Sequence, residues 1–155
     1  MADDTPIKIV SSNRRASFDY ELGERFEAGM SLSGAEIKSI RTGKMDVRDA
    51  FVLIRQGNAW LINAYIPQYE MATGFNKISE ERRERLLLLH RREISNITKG
   101  IEQKGFTAIA TKVYLKRGRA KVEIALARGK KNYDKRESIA KRDSQRDIDR
   151  ALRDR

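Results

Sequence analysis

The chain has 155 residues, enough for one domain with a real core but too short for two comfortable ones. Its 33 Lys and Arg against 22 Asp and Glu leave a net charge of +11, which favours a polyanionic partner because cations near phosphates release counterions; charge alone does not separate RNA, DNA and anionic membrane. The absence of cysteine excludes disulfides, cysteine-ligated zinc, thiol catalysis and iron–sulfur clusters.

In chain order, residues 1–12 read as a flexible leader. Its start is acidic and has no apolar h-region, so a signal peptide is not expected. Phe18-Asp19-Tyr20-Glu21-Leu22 alternates apolar and polar, the pattern of a half-buried strand. Residues 30–40 carry Met30, Leu32, Ile37 and Ile40 around Gly34, which reads as a strand bent at that glycine. Residues 41–44 form a turn. Residues 50–55 and 59–66 are rich in β-branched and aromatic side chains and flank Gln56-Gly57-Asn58, so they form a hairpin that Pro67 ends.

Residues 68–78 read as a loop. Ser79 is an N-cap candidate followed by Glu80 and Glu81, which predicts a helix to about Arg91. Ile94, Ile97 and Ile101 recur at helical spacing and Gly105 closes that second helix. A second hairpin joins residues 107–115 to 121–126 through Lys116-Arg117-Gly118-Arg119. Val122, Ile124 and Leu126 share one face of it, and Lys121 and Glu123 the other. The longest pure apolar run, residues 86–89, is far too short to span a bilayer, so a soluble cytoplasmic protein without membrane partner is expected.

Residues 128–155 hold 11 Lys and Arg against 6 Asp and Glu, a net +5, leaving +6 on the body. Tyr133, Ile139, Ile148 and Leu152 are the tail's only large apolar residues, too few to offset the entropy of ordering, so the free tail is expected to be disordered. Wound as a helix it places Arg142, Arg146, Arg150 and Arg153 on one narrow face, with Ile148 and Leu152 elsewhere. Glu137→Lys141 and Asp149→Arg153 are favourable i,i+4 pairs. These features predict a helix that forms against an anionic surface; a charged tail that only aids solubility is the alternative.

Catalytic and metal signatures are missing. His90, the one histidine, follows four leucines and reads as a helix-face residue. Gly43-Lys44 is followed by Met45, not the Ser or Thr of a phosphate loop. No enzyme activity, metal or cofactor is expected. Strands, a helical insertion and further strands in a basic chain suggest a mainly β fold, an OB-like antiparallel β-barrel binding nucleic acid.

Three strings narrow this. They are Asn13-Arg14-Arg15-Ala16, then Arg25-Phe26-Glu27-Ala28-Gly29 running on to Leu32-Ser33-Gly34-Ala35-Glu36-Ile37-Lys38-Ser39-Ile40-Arg41-Thr42-Gly43-Lys44, and Ala127-Arg128-Gly129-Lys130-Lys131-Asn132-Tyr133-Asp134-Lys135-Arg136. In order and spacing they resemble the SsrA-binding (small protein B) family, the bacterial partners of transfer-messenger RNA. The resemblance runs from about Ser12 to the C-terminus.

The resemblance implies a barrel over residues 13–127 that binds the tRNA-like domain of transfer-messenger RNA and a tail over 128–155. The charged RNA, with elongation factor Tu as indirect partner, is delivered to stalled ribosomes for peptide tagging and ribosome rescue. The tail becomes helical in the empty mRNA channel near the decoding centre of the small subunit. Carried over residue by residue, Asn13, Arg14 and Arg15 contact RNA, or are an ordinary basic arm. Glu27 accepts bonds from base or ribose donors, or holds a neighbouring arginine. Residues 86–89 match a leucine-rich helix, mostly core, with Leu88 assigned to a loop base, and Lys121 faces the RNA from its strand. In the tail, Gly129, Lys130 and Lys131 match its start and Asp134, Lys135 and Arg136 its decoding-centre motif. Arg142, Arg146, Ile148, Arg150 and Leu152 belong to its helix. Tyr133 stands where many members have histidine; stacking on a base survives that change, a role needing imidazolium does not. Another OB-fold RNA binder, such as a ribosomal or assembly protein, and a basic RNA-processing enzyme are the competing readings.

Overall fold

The computed structural model describes residues 6–68 and 80–129. Seven strands, β1 (Ile7–Ser12), β2 (Tyr20–Met30), β3 (Phe51–Arg55), β4 (Asn58–Ile62), β5 (Arg85–Leu88), β6 (Thr107–Lys116) and β7 (Arg119–Gly129), are joined by α1 (Ala16–Asp19), α2 (Gly34–Arg41) and α3 (Arg91–Lys104). Every pairing is antiparallel. Following the ladders from β6 through β3, β4, β5, β2 and β7 returns to β6, so six strands close on themselves and β1 adds a seventh along the far half of β6. Closure pairs edges that would otherwise be open to other chains.

The core is the inside of this ring. Phe26, Ala28 and Met30 of β2, Val52 of β3, Leu61 of β4, Leu87 of β5, Val113 of β6 and Val122 and Ile124 of β7 are all buried in it. Both predicted hairpins are present. Their two-residue turns put positive φ at Gln56 and Gly57 and at Arg117 and Gly118, the backbone that matches the right-handed twist of the flanking strands. Asn58, expected in the first turn, instead pairs with Arg55 as the first residue of β4. That strand ends at Ile62, earlier than expected, and Tyr65 bridges to Asp46. Helix α3 ends at Gly105, whose φ of 68° supplies the left-handed cap. Gly100 brings α3 onto the barrel, since a Cβ there would lie 2.7 Å from Leu126 Cδ1.

Further expectations need correction. Residues 7–12 are not a loose leader: they form β1, paired with β6 from Ile7↔Lys116 to Ser12↔Lys112 with a register shift between Ile9 and Ser11. Ten-residue β6 is longer than the β3 ladder it meets, and the rest of that edge is free to recruit a strand. Phe18 and Asp19 lie in α1, so the expected strand begins at Tyr20.

Residues 34–41 are helix α2, not a bent strand. Ser33 accepts from the Glu36 N–H at 3.2 Å and Glu36 accepts from the Ser33 N–H at 2.9 Å, a reciprocal cap that starts the helix just before Gly34. Finally, residues 85–88 are strand β5 and not part of a helix. Arg85 and Leu87 point inward, Leu88 points outward, and β2 and β4 pair on either side. His90 consequently sits at the N-cap of α3, where its N–H donates to the Glu93 carboxylate at 3.1 Å. Arg128 and Gly129, expected in the tail, are the last residues of β7 and pair with Glu21 and Tyr20, whereas the rest of the tail, residues 130–155, and the Ser79 cap lie outside the described residues.

Helix α2 is tied to β5 by a buried ionic cluster. Glu36 and Arg85 are both fully buried. The Arg85 guanidinium donates to Glu36 at 2.7 Å and to the carbonyls of Ala64, Arg83 and Glu81 at 2.8–3.0 Å. Arg83 donates to the other Glu36 oxygen. A buried charge persists only with such complete pairing. The cluster fixes the strand that carries Leu88.

Candidate nucleic-acid interface

The side-chain alternation of β2, β6 and β7 decides what faces outward. On β2, Phe26, Ala28 and Met30 go to the core, so Arg25, Glu27 and Gly29 go out. On β7, Val122 and Ile124 go in, so Lys121 and Glu123 go out. On β6 the outward positions near the arm of the sheet are Lys112, Tyr114 and Lys116, opposite Glu123, Lys121 and Arg119.

The registers align these positions into rows across the barrel. One row runs Ile9–Tyr114–Lys121–Gly29–Leu88 over five neighbouring strands. Four strand-to-strand steps of about 4.8 Å make it roughly 19 Å long. Its ends are exposed apolar side chains, Ile9 at 55 % and Leu88 at 58 %. Lys121 is near the centre, with no salt-bridge partner among the described residues. Gly29 leaves a low floor between them: a Cβ there would sit 3.4 Å from Leu88 and 3.7 Å from Lys121 Nζ. The next row is Ser12–Lys112–Glu123–Glu27.

Glu27 is braced. Its Oε2 accepts the Tyr114 hydroxyl, and Lys116 Nζ lies 3.5 Å from its Oε1. Burial, the hydrogen bond to Glu27 and the carboxylate charge together push the Tyr114 phenol well above its usual range, so it stays a protonated donor. Arg25 does not pair with Glu27 but with Glu123, at 3.1 Å. Glu27 is therefore held by a tyrosine and a lysine, not by a neighbouring arginine.

The structure thus gathers Glu27, Leu88 and Lys121 on one face although they are far apart in sequence. Residues 13–15 lie off this row, beyond the end of β1. The Asn13 side chain donates to the carbonyls of Arg48, at 3.1 Å, and Ala110, at 3.4 Å, so it pins the arm to the barrel. Arg14 and Arg15 are exposed, and with Arg48, Tyr20 and Phe51 they line a cleft of about 800 Å³. Gly129 ends β7 opposite Tyr20, and Lys130 onward, with Tyr133 and the arginine face, lies outside the described residues. Sequence reasoning missed Tyr114, Lys116 and Ile9 as members of this face. For the first two a signal existed, since Lys112, Tyr114 and Lys116 share one side of a period-2 strand.

Among the described residues no cluster of His, Asp or Glu could hold a metal, and no helix is long and apolar enough to cross a membrane. A closed antiparallel barrel with outward lysines, a braced acceptor carboxylate and an exposed leucine on one face belongs to the small β-barrel proteins that bind nucleic acid. The model of the SmpB protein family matches residues 10–154. The chain is 48% identical over 151 residues to an SsrA-binding protein of Azorhizobium caulinodans, covering 97% of this chain and 93% of that one. With the SsrA-binding protein of Trichormus variabilis it shares 51% over 146 residues, 94% of each chain. Among solved structures it is similar to a chain described under "tmRNA-SmpB: a journey to the center of the bacterial ribosome". That match has a TM-score of 0.66 and 42% identity over 83% of this chain and 92% of the other. The chain belongs to the SmpB protein family.

Proposed function

We infer that the protein is an RNA-binding adaptor of trans-translation, binding the tRNA-like domain of transfer-messenger RNA through its barrel and accompanying that RNA to stalled ribosomes. The observation that carries this is the coincidence of family and face: relatives named SsrA-binding proteins match nearly the whole chain, and the family-matched Glu27, Leu88 and Lys121 converge on one outward surface. Lys121 meets backbone phosphate, Glu27 accepts from base or ribose donors, and Leu88 stacks on an unstacked base. Arg14 and Arg15 add backbone contacts beside the cleft, with Asn13 fixing the arm that carries them.

The binding domain runs from β1 through β7, and residues 130–155 work on the ribosome. There the tail folds as a helix in the empty mRNA channel. Gly129, Lys130 and Lys131 lead into it, Tyr133 stacks near the decoding centre, and Asp134, Lys135 and Arg136 meet the ribosomal RNA. Arg142, Arg146 and Arg150 line the channel wall, with Ile148 and Leu152 on the helix's apolar stripe. Elongation factor Tu takes part through the shared RNA, the protein acts in the cytoplasm, and it binds without turnover.

Gel shifts at physiological salt test the first half: the tRNA-like RNA should bind more tightly than a duplex of equal charge, and equal affinity overturns shape recognition. The second half is tested in a reconstituted translation system. Truncation after Gly129, or Ile148→Pro in the predicted tail helix, should abolish tagging while RNA binding falls only modestly. Full tagging by the truncated chain reduces the tail to a solubility device.

A further inference from the structure

Glu27 and Glu123 stand directly opposite each other on β2 and β7. Like charges so placed destabilise a sheet unless each finds its own partner. The partners here are separate. Glu123 is drawn to Arg25, at 3.1 Å, and accepts from the Thr111 hydroxyl at 2.5 Å. Glu27 takes the Tyr114 hydroxyl on one oxygen and faces Lys116 with the other. Each Glu27 oxygen therefore has one donor and keeps acceptor capacity for another.

Exposure divides the roles. The Glu27 side chain is 40% exposed, whereas Tyr114 is only 5% exposed, with Lys112 Nζ 5.7 Å from its ring centre. A ring so covered offers a ligand almost no surface. Its effect on a ligand runs through the carboxylate that its hydroxyl holds.

The alternative resting place for that carboxylate matters. Lys121 is paired with Gly29, two residues from Glu27, so it is a diagonal neighbour within reach of a long side chain. A Glu27 released from Tyr114 can swing onto Lys121 and neutralise the central cation of the row. The hydroxyl on one oxygen, with Lys116 facing the other, thus keeps an acceptor and a cation side by side without letting them cancel.

We propose that Tyr114 is a positioning residue for RNA binding, its buried hydroxyl holding Glu27 away from Lys121 with both carboxylate oxygens open to hydrogen-bond donors of the RNA. This rests on reading the barrel as the RNA-binding body.

The test is a double-mutant cycle on the full chain, with a transcript of the tRNA-like domain as probe. Tyr114→Phe fills the same buried space and removes only the hydroxyl. It should weaken binding about tenfold, the scale of one hydrogen bond from the RNA to Glu27 lost when the carboxylate is displaced. Combined with Glu27→Ala it should bind no worse than Glu27→Ala alone, whereas combined with remote Arg14→Ala the two losses should add. Glu27→Asp draws the carboxylate back from Tyr114 without touching the core, and should reproduce the Tyr114→Phe loss if that variant proves unstable. Wild-type affinity in Tyr114→Phe or in Glu27→Asp, or losses that multiply in the Tyr114/Glu27 pair, would overturn the proposal while leaving the function standing. A wild-type protein that does not prefer the tRNA-like transcript over duplex removes both.

Discussion

Replacing Glu36 by Gln probes what holds β5, and with it Leu88, in place. The substitution keeps the shape and removes the charge. At present one Glu36 oxygen accepts from Arg85 and the other from the Ser33 N–H and from Arg83. A glutamine must turn its NH2 toward one of these donor sets, so a donor faces a donor whichever way it flips. Arg85, fully buried, is left without a counter-charge. Removing one member of a buried pair costs about 3–5 kcal/mol; with one acceptor kept, about 3 kcal/mol is expected. At a urea slope of about 2 kcal/mol per molar, the unfolding midpoint should fall by roughly 1.5 M. Replacing Arg85 as well does not restore stability, because the carbonyls of Ala64, Arg83 and Glu81 then lose their donor.

The same cluster sets an acid limit. Burial works to raise the Glu36 carboxyl, but hydrogen bonds from Arg83 and Ser33 and the charge of Arg85 outweigh it and hold it below its ordinary value. A lowered folded value means that the pair's contribution is present above the unfolded pKa and fades as pH falls through the folded one. The Glu36→Gln variant should therefore lose less stability between neutral pH and acid than the wild type does. A midpoint within about 0.3 M of wild type at neutral pH would refute this account of the cluster.

Leu88→Ala should leave the fold almost untouched, within about 0.5 kcal/mol, because the side chain is 58% exposed. It should nevertheless weaken binding of the tRNA-like RNA by about tenfold, the scale of one lost base contact in an affinity assay; unchanged affinity removes Leu88 from the interface. Lys121→Ala should weaken binding to folded RNAs and reduce the slope of log affinity against log salt by about 1, as measured by titration from low to high salt. A slope equal to wild type means that Lys121 meets no phosphate.

Where a signal was local, the sequence was readable. Both hairpins announced themselves by β-branched runs around glycine turns, and Gly105 ended α3 because only a left-handed cap fits there. Lys121 reads as outward because Val122, Ile124 and Leu126 take the other face. Helix α2 had its own signal too, in the Ser33-x-x-Glu36 cap, but the apolar residues on both sides of that boundary suggested one continuous strand. The leucines at 86–89 carry no period, and leucine favours helices; β5 exists because β2 and β4 offer ladders on either side of it. β1 formed where β6 outran its neighbour, a feature of a strand some hundred residues away.

The candidate site divides along the same line. Charge and composition were enough for a basic chain with a cationic tail, and the strand pattern for a nucleic-acid-binding barrel; RNA as the partner, with Glu27, Leu88 and Lys121, came with the resemblance that the local strings carry. The row those residues form, and the brace beneath it, depend on register. Tyr114 and Glu27 are 87 positions apart in the chain, and no local pattern links them. They touch because β7 lies between β6 and β2 and the ring closes, so that side chains on separate strands share one outward face. Local chemistry determined which groups this protein has to offer an RNA; only the closed ladder decided which of them stand together.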